Sequence, residues 1–157
     1  MAAPTDIQTL AGATLAVSAT EPATFDAAGF GSTAMTYTAI GKIEDFGQHG
    51  LTRAVQKLTP VDTGVVIKRT GSKDYGNMTL KIGRLASDGG QVILKAASES
   101  NNPYAFKLSY AGGTTPEIHY LNGVISSFVY NDGTVDTIET ITVVLELDHA
   151  PVIVAAT

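Results

Sequence analysis

The side chains that could bind a metal ion or activate a nucleophile are few in this sequence and widely separated. None of the three histidines, His49, His119 and His149, lies two, three or four positions from another histidine. Those spacings would place two ring nitrogens on one face of a strand or helix, as a metal site requires. The sequence has no cysteine, which excludes disulfides, thiolate nucleophiles and zinc sites built on cysteine. We therefore predict no metal, no cofactor and no catalytic residue.

The glycines and serines do not form a phosphate-binding or catalytic loop. Gly41, Gly47 and Gly50 lack the GxGxxG spacing, and no GKS or GKT follows any other glycine. The sequence also has no GxSxG nucleophile elbow. We predict that the chain is not an enzyme.

The charged residues are unevenly distributed along the chain. Ten Lys and Arg stand against fifteen Asp and Glu, for a net charge of -5, and all ten basic residues lie between Lys42 and Lys107. The segment after Lys107 contains six acidic residues and no Lys or Arg. The basic middle could therefore meet an acidic surface on another copy of the chain, although chance clustering on a solvated surface explains the charges equally well. The densest basic stretch, at Lys68, Arg69 and Lys73, is too short and too poor in aromatics to predict sequence-specific nucleic-acid binding.

The size and composition of the chain predict one domain. At 157 residues with 44% hydrophobic residues, the chain is long enough for one core and too short for two. We divide it into an N-terminal arm (1–34), a core (35–149) and a C-terminal arm (150–157). No apolar run approaches the roughly 20 residues that cross a bilayer, and the first ten residues contain no basic residue. We expect neither a membrane segment nor a secretion signal.

The pattern of apolar residues predicts a mainly β fold, a two-sheet sandwich or barrel with one flanking helix. Alternation indicates strands at 37–43, 65–69, 78–82 and 104–110, with a turn at Gly112 and Gly113. Residues 1–30 are predicted to form an arm that contains one strand but lies outside the core, and 45–75 a long loop. A helix at about 88–99 is predicted from a capping box at Asp88 and Gln91. Its predicted apolar stripe consists of Val92, Ile93, Ala96 and Ala97.

The last third of the sequence predicts a long hairpin. Asp132-Gly133 is typical of a two-residue type I′ turn, and pairing Asn131 with Thr134 places Val124 opposite Ile141. In this register one face is almost wholly apolar, and His119 faces Glu146 on the other. That mixed polar face also carries three more residues of the second arm: Asp136, Thr140 and Thr142.

Four stretches, taken in order, resemble a known family: SATEPATFDAAGF at 18–30, YTAIGKI at 37–43, Phe46 and Gly47 followed by Gly50, and DGGQ at 88–91. Together they are similar to the major tail tube protein of long-tailed bacteriophages, over about residues 15–147. The resemblance implies a β-sandwich that assembles with copies of itself as hexameric rings stacked into a tube. It also implies assembly in the host bacterial cytoplasm, a place in the virion tail, and contacts with tape measure, tail terminator and tail tip proteins. Genomic double-stranded DNA would pass through the lumen without specific binding.

This resemblance gives the polar hairpin face and the arms expected roles. We expect Asp136, Thr140, Thr142 and Glu146 to line the lumen, because a wall without unpaired lysines does not hold phosphates. The alternative is that this face packs under the helix. Contacts between subunits are expected from the arms and the 45–75 loop, at the following residues: Phe25, Phe30, Phe46, Lys57, Lys68, Arg69, Val152 and Ile153.

Three other functions remain open from the sequence. The tube protein of a type VI secretion system or of a phage-derived bacteriocin would share the fold and differ in cargo. A carbohydrate-binding β-sandwich would require exposed aromatic platforms, and this chain has no Trp and only 7% aromatic residues. A small β-barrel enzyme is the least favoured, because the chain contains no catalytic motif.

Overall fold

Antiparallel strands are the main secondary structure of the computed structural model, which describes residues 6–157. The prediction of a mainly β fold with a flanking helix is confirmed. The elements in chain order are β1 (Thr14–Ser18), α1 (Ala27–Phe30), β2 (Thr38–Ile40), β3 (Ile43–Asp45), β4 (Thr52–Leu58), β5 (Ile67–Asp74), β6 (Asn77–Gly83), α2 (Gly89–Glu99), β7 (Tyr104–Ser109), β8 (Ile118–Asn131), β9 (Thr140–Leu147) and β10 (Val152–Val154).

Within residues 6–157, eight strands form one sheet and two form another. The large sheet has the order β2-β1-β7-β8-β9-β6-β3, and the short β10 pairs with the beginning of β8. The second sheet is the β4–β5 hairpin, whose residues are all exposed. The region predicted as a long loop with a short strand at 65–69 is therefore a hairpin with a bulge between Arg53 and Val55, and its second strand begins at Ile67 rather than at Val65.

The core lies on one face of the large sheet and extends from β1 to β6. Leu15 and Val17 of β1 have no exposed surface, and β1 pairs with both β2 and β7. The prediction that the first strand lies outside the core is therefore wrong. Residues 1–5 of the predicted arm lie outside the described part of the chain.

The strand predicted over 37–43 is interrupted. Lys42 has a left-handed backbone with φ of 62°, which ends β2 and begins β3 in a different part of the sheet. The predictions for β6 and β7 are confirmed, and Met78, Leu80 and Ile82 of β6 are completely buried.

Helix α2 covers the core face with only part of the predicted stripe, since Ile93 packs against the core and Ala96 is exposed. The Asp88 side chain accepts a hydrogen bond from the Gln91 backbone at 3.0 Å, as a helix cap should. The buried residues include Leu94 and Ala97, whereas Val92 is 57% exposed. The Gln91 side chain does not close a capping box. It is buried, and its Nε2 donates to the Gly83 carbonyl at 3.0 Å.

The β8–β9 hairpin differs from the predicted one in its register. Asn131 pairs with Thr140, so an eight-residue loop, 132–139, replaces the two-residue turn. The pairing is offset from the predicted one by six residues near the loop, and a bulge at Ser126 reduces the offset to five beyond it. The predicted register is wrong because the alternation of apolar residues fixes only which face of β9 is buried. A shift by an even number of residues keeps the same face buried, so alternation alone does not choose between such registers.

Candidate functional site

Among residues 6–157, no group of three or more His, Cys, Asp or Glu side chains could hold a metal ion. Nor is any helix in this range long and apolar enough to cross a bilayer.

The β4–β5 hairpin is the most exposed element. Residues 52–74 contain five basic and two acidic residues, which gives a net charge of +3. Lys57 lies directly opposite Lys68 and Gln56 opposite Arg69. Like charges in cross-strand positions destabilise a hairpin, and within residues 6–157 no carboxylate forms an ion pair with either lysine.

The end of this hairpin is apolar and equally exposed. Val61 is fully exposed, and Leu58 and Val65 each expose more than half of their side chains. A hairpin that is apolar at its tip, basic along its strands and covered on neither face is typical of a segment that binds another chain. The structure thus places Lys57, Lys68 and Arg69, three of the predicted contact residues, on one projecting element.

The predicted polar face of β9 exists, and it lies on the side of the sheet away from α2. Thr140, Thr142 and Glu146 alternate with the buried residues of β9, which face the core that α2 covers. This excludes the alternative that the polar face packs under the helix. Asn131 donates from Nδ2 to the Thr142 hydroxyl at 3.0 Å, and the Ser126 hydroxyl donates to Glu146 Oε1 at 3.3 Å.

Asp136 does not share this face. It lies in the exposed loop 132–139, because β9 begins only at Thr140. The face instead includes Lys81 of β6, which pairs with Thr142 and forms an ion pair with Glu44 of β3 at 2.9 Å. The sequence pattern did not indicate Lys81 and Glu44, because their proximity depends on the pairing of β3 with β6.

The loop 132–139 has a conformation of its own. The Thr137 hydroxyl accepts from the Thr134 backbone at 2.7 Å and donates to its carbonyl at 3.0 Å. Glu139 forms an ion pair with Arg84 at 2.6 Å. Val135 is fully exposed and Ile138 is 85% exposed. The loop therefore presents apolar and acidic side chains to solvent.

Both terminal segments contact the face of the sheet away from α2, at the beginning of β8. Phe30 is buried against Tyr120 with ring centroids 5.3 Å apart, so it retains almost no surface for another chain. Phe25 stacks on His149 at 3.7 Å. Glu21 and Asp148 both accept hydrogen bonds from Asn122 Nδ2, at 2.9 and 3.0 Å.

The remaining predicted contact residues have mixed exposure. Val152 is partly buried in the cluster around Phe30, whereas the neighbouring Ile153 is 58% exposed. Phe46 packs against the main core. Of these three, Ile153 therefore offers the most surface to a second chain.

Two histidines meet at the base of the exposed hairpin. His49 Nε2 and His119 Nδ1 are hydrogen-bonded at 2.9 Å, and His119 Nε2 contacts Glu117 at 2.6 Å. Burial, with His119 as the second cause, lowers the pKa of His49. The predicted pairing of His119 with Glu146 is wrong, because His119 lies opposite Leu108 and Ile153.

Comparison with known proteins identifies the fold. No family model matches the sequence, and no curated protein matches it. Among solved structures, the chain is similar to the SPP1 tail tube, determined by solid-state NMR and cryo-EM. The TM-score is 0.61 at 14% sequence identity, and the match covers 90% of this chain and 75% of that one. The chain therefore has a tail-tube-like fold.

Proposed function

We propose that this chain is a structural tail tube protein that polymerises as stacked hexameric rings around a channel for DNA. The observation that carries the proposal is the similarity to the SPP1 tail tube over 90% of the chain. The exposed β4–β5 hairpin supports it, because a two-stranded hairpin is at best marginally stable in water without a packing partner. Binding to a second copy would cover its apolar tip.

Four adjacent strands have the arrangement that the wall of such a channel needs. Strands β8, β9, β6 and β3 are consecutive in the sheet, and on their face away from α2 the side chains of β9 and β6 are mostly polar. Six subunits with four strands each would give a barrel about 50 Å across, from about 4.7 Å between strands and about 45° of tilt. Subtracting about 5 Å of side chain on each wall leaves roughly 40 Å, enough for a duplex about 20 Å wide.

The charges on this face suit the passage of DNA. Glu146 and the two threonines Thr140 and Thr142 carry no positive charge, and Lys81 is compensated by Glu44. Six unpaired lysines in every ring would together make many phosphate contacts and retard the DNA. Screening over about 8 Å at physiological salt keeps the repulsion from an acidic wall small.

The wider role follows from this proposal. The protein would act in the virion tail after assembly in the host cytoplasm, and would contact tape measure, tail terminator and tail tip proteins at the ends of the tube. A secretion or bacteriocin tube would use the same fold for another cargo, so the cargo distinguishes these functions.

Electron microscopy of the purified full chain tests the proposal. Six-fold rings or hollow rods with a bore of roughly 40 Å are expected, since six copies accommodate the duplex. A protein that stays monomeric at every concentration, or rings too narrow for a duplex, would refute it.

A charge reversal tests which face lines the bore. Tubes of Glu146→Lys should retain short duplex DNA inside the bore at low salt and release it at high salt. Glu99→Lys is the matched control, because Glu99 is exposed at the end of α2, on the opposite side of the sheet. Cryo-EM density for DNA inside Glu146→Lys tubes and not inside Glu99→Lys tubes is expected. Equal DNA binding by both variants would refute the assignment of this face to the bore.

A further inference from the structure

The basic hairpin and the acidic loop leave the large sheet at opposite ends. The hairpin leads into Asn77 of β6, which pairs with Glu146 near the end of β9. The loop 132–139 leads into Thr140, which pairs with Gly83 at the other end of β6. About 25 Å of strand separates them, from eight residues at about 3.3 Å each.

We propose that the β4–β5 hairpin of one copy binds the loop 132–139 of the next copy, in a head-to-tail contact. The inference rests on the proposed self-assembly and identifies the two surfaces that meet. Because the surfaces differ and lie at opposite ends of the sheet, one contact leaves both available for further copies. Such a contact extends a polymer without limit, whereas a symmetric contact would stop at a dimer.

The charges of the two surfaces are complementary. The hairpin has a net charge of +3, and the loop contains three acidic residues, Asp132, Asp136 and Glu139, and no basic one. Glu139 is bound to Arg84, but Asp132 and Asp136 have no ion-pair partner within residues 6–157. The pair Lys57 and Lys68 likewise lacks a carboxylate partner there. A second copy supplies each surface with the opposite charge.

Apolar contact would add affinity to this electrostatic selection. The tip of the hairpin exposes Val61 and Val65, and the loop exposes Val135 and Ile138. Burying these side chains against one another removes apolar surface from water, which adds a hydrophobic contribution to the free energy of binding. The polar face of β9 is a poorer acceptor for the hairpin, since within residues 6–157 Glu146 is its one acidic residue without an ion pair and Lys81 and Glu44 compensate each other.

A reciprocal charge exchange tests this contact. The hairpin variant carries Lys57→Glu and Lys68→Glu, the loop variant Asp132→Lys and Asp136→Lys, and a third chain carries all four changes. All four residues are exposed, so the monomers should unfold like the wild type. Sedimentation should show at least a tenfold rise in the concentration needed for polymerisation in each double variant, and recovery to within about threefold in the combined chain. The control Lys95→Glu, on the exposed side of α2, should polymerise normally.

The outcomes separate this inference from the proposed function. Wild-type protein that forms neither rings nor rods would refute the tube itself. Wild-type tubes together with normal polymerisation of both double variants would leave the tube intact and refute the contact. Loss of polymerisation in the double variants without recovery in the combined chain would also refute the contact, because the two surfaces would then bind something other than each other.

Discussion

Replacing Leu94 by alanine tests how α2 packs on the sheet. Leu94 has no exposed surface and belongs to the main core together with Leu15 and Val17. Removing a buried leucine side chain costs about 2–5 kcal/mol, because apolar transfer is lost and a cavity remains. A loss of about 3 kcal/mol in a chain of this size lowers the melting temperature by about 6–12 °C.

Val92→Ala is the matched control on the same helix. Val92 exposes 57% of its surface, so little buried area is lost with its two methyl groups. Alanine favours the helix over valine by at most about 0.7 kcal/mol. We therefore expect Val92→Ala to change the free energy of unfolding by less than about 1 kcal/mol, in either direction.

Thermal unfolding followed by circular dichroism measures both variants. The protein must be dilute enough to remain monomeric, since self-association raises the apparent stability of the folded state. If Val92→Ala destabilises the chain as much as Leu94→Ala, the helix is rotated relative to the structure and the sequence-predicted stripe is right.

Two further predictions concern close packing and acid stability. Gly123→Ala should cost more than about 2 kcal/mol in chemical denaturation, because an added Cβ would collide with the Glu146 carbonyl oxygen, whereas Gly71→Ala meets its neighbours at ordinary distances and should be neutral. Because the pKa of His49 is lowered in the folded chain, the unfolded chain binds a proton at His49 more readily than the folded chain does. The contribution of His49 to the free energy of unfolding is therefore complete above pH 6.5 and declines as the pH falls through 6.5 towards the folded pKa. His49→Asn should flatten part of that decline, by at most about 1.4 kcal/mol per pH unit, and an unchanged pH profile of the unfolding free energy would contradict the role of the His49–His119 contact.

The elements predicted correctly are those whose evidence is local. β6 alternates Met78, Leu80 and Ile82 with polar residues, and all three are buried. The start of α2 follows from Asp88, whose side chain can cap only a helix that begins directly after it. Short-range patterns of this kind identify a strand or a helix end without information on what packs against it.

The predictions that failed depend on partners distant in the sequence. Leu15 and Val17 form too short a pattern to indicate a central strand, and their burial depends on β2 and β7 beside them and on α2 across the core. The stripe on α2 was right at Ile93 and Ala97 but included Val92 instead of Leu94. The orientation of the helix depends on its contact with β2, where a side chain at Gly90 would come within 2.7 Å of Ile40 Cα.

The residues of the candidate surfaces were predicted only in part, because some of their positions also depend on partners distant in the sequence. Thr140, Thr142 and Glu146 share a face in any register, because they occupy alternate positions of β9. The error in the predicted hairpin turn therefore did not change the face on which they lie. Asp136 depended on the turn itself, and the loop of eight residues removed it from the strand. The Lys81–Glu44 pair required the order of β3, β6 and β9, which alternation does not contain.

In the proposed tube, self-assembly and DNA passage would make opposite demands on basic residues. A contact between subunits gains from exposed lysines that find carboxylates on a neighbour, whereas a wall facing DNA must leave none unpaired. The fold meets both demands by distance: five basic residues lie in the hairpin segment outside the large sheet, and on the polar face Lys81 is held by Glu44 at 2.9 Å. A chain with a net charge of -5 can in this way carry a basic contact surface without a basic channel.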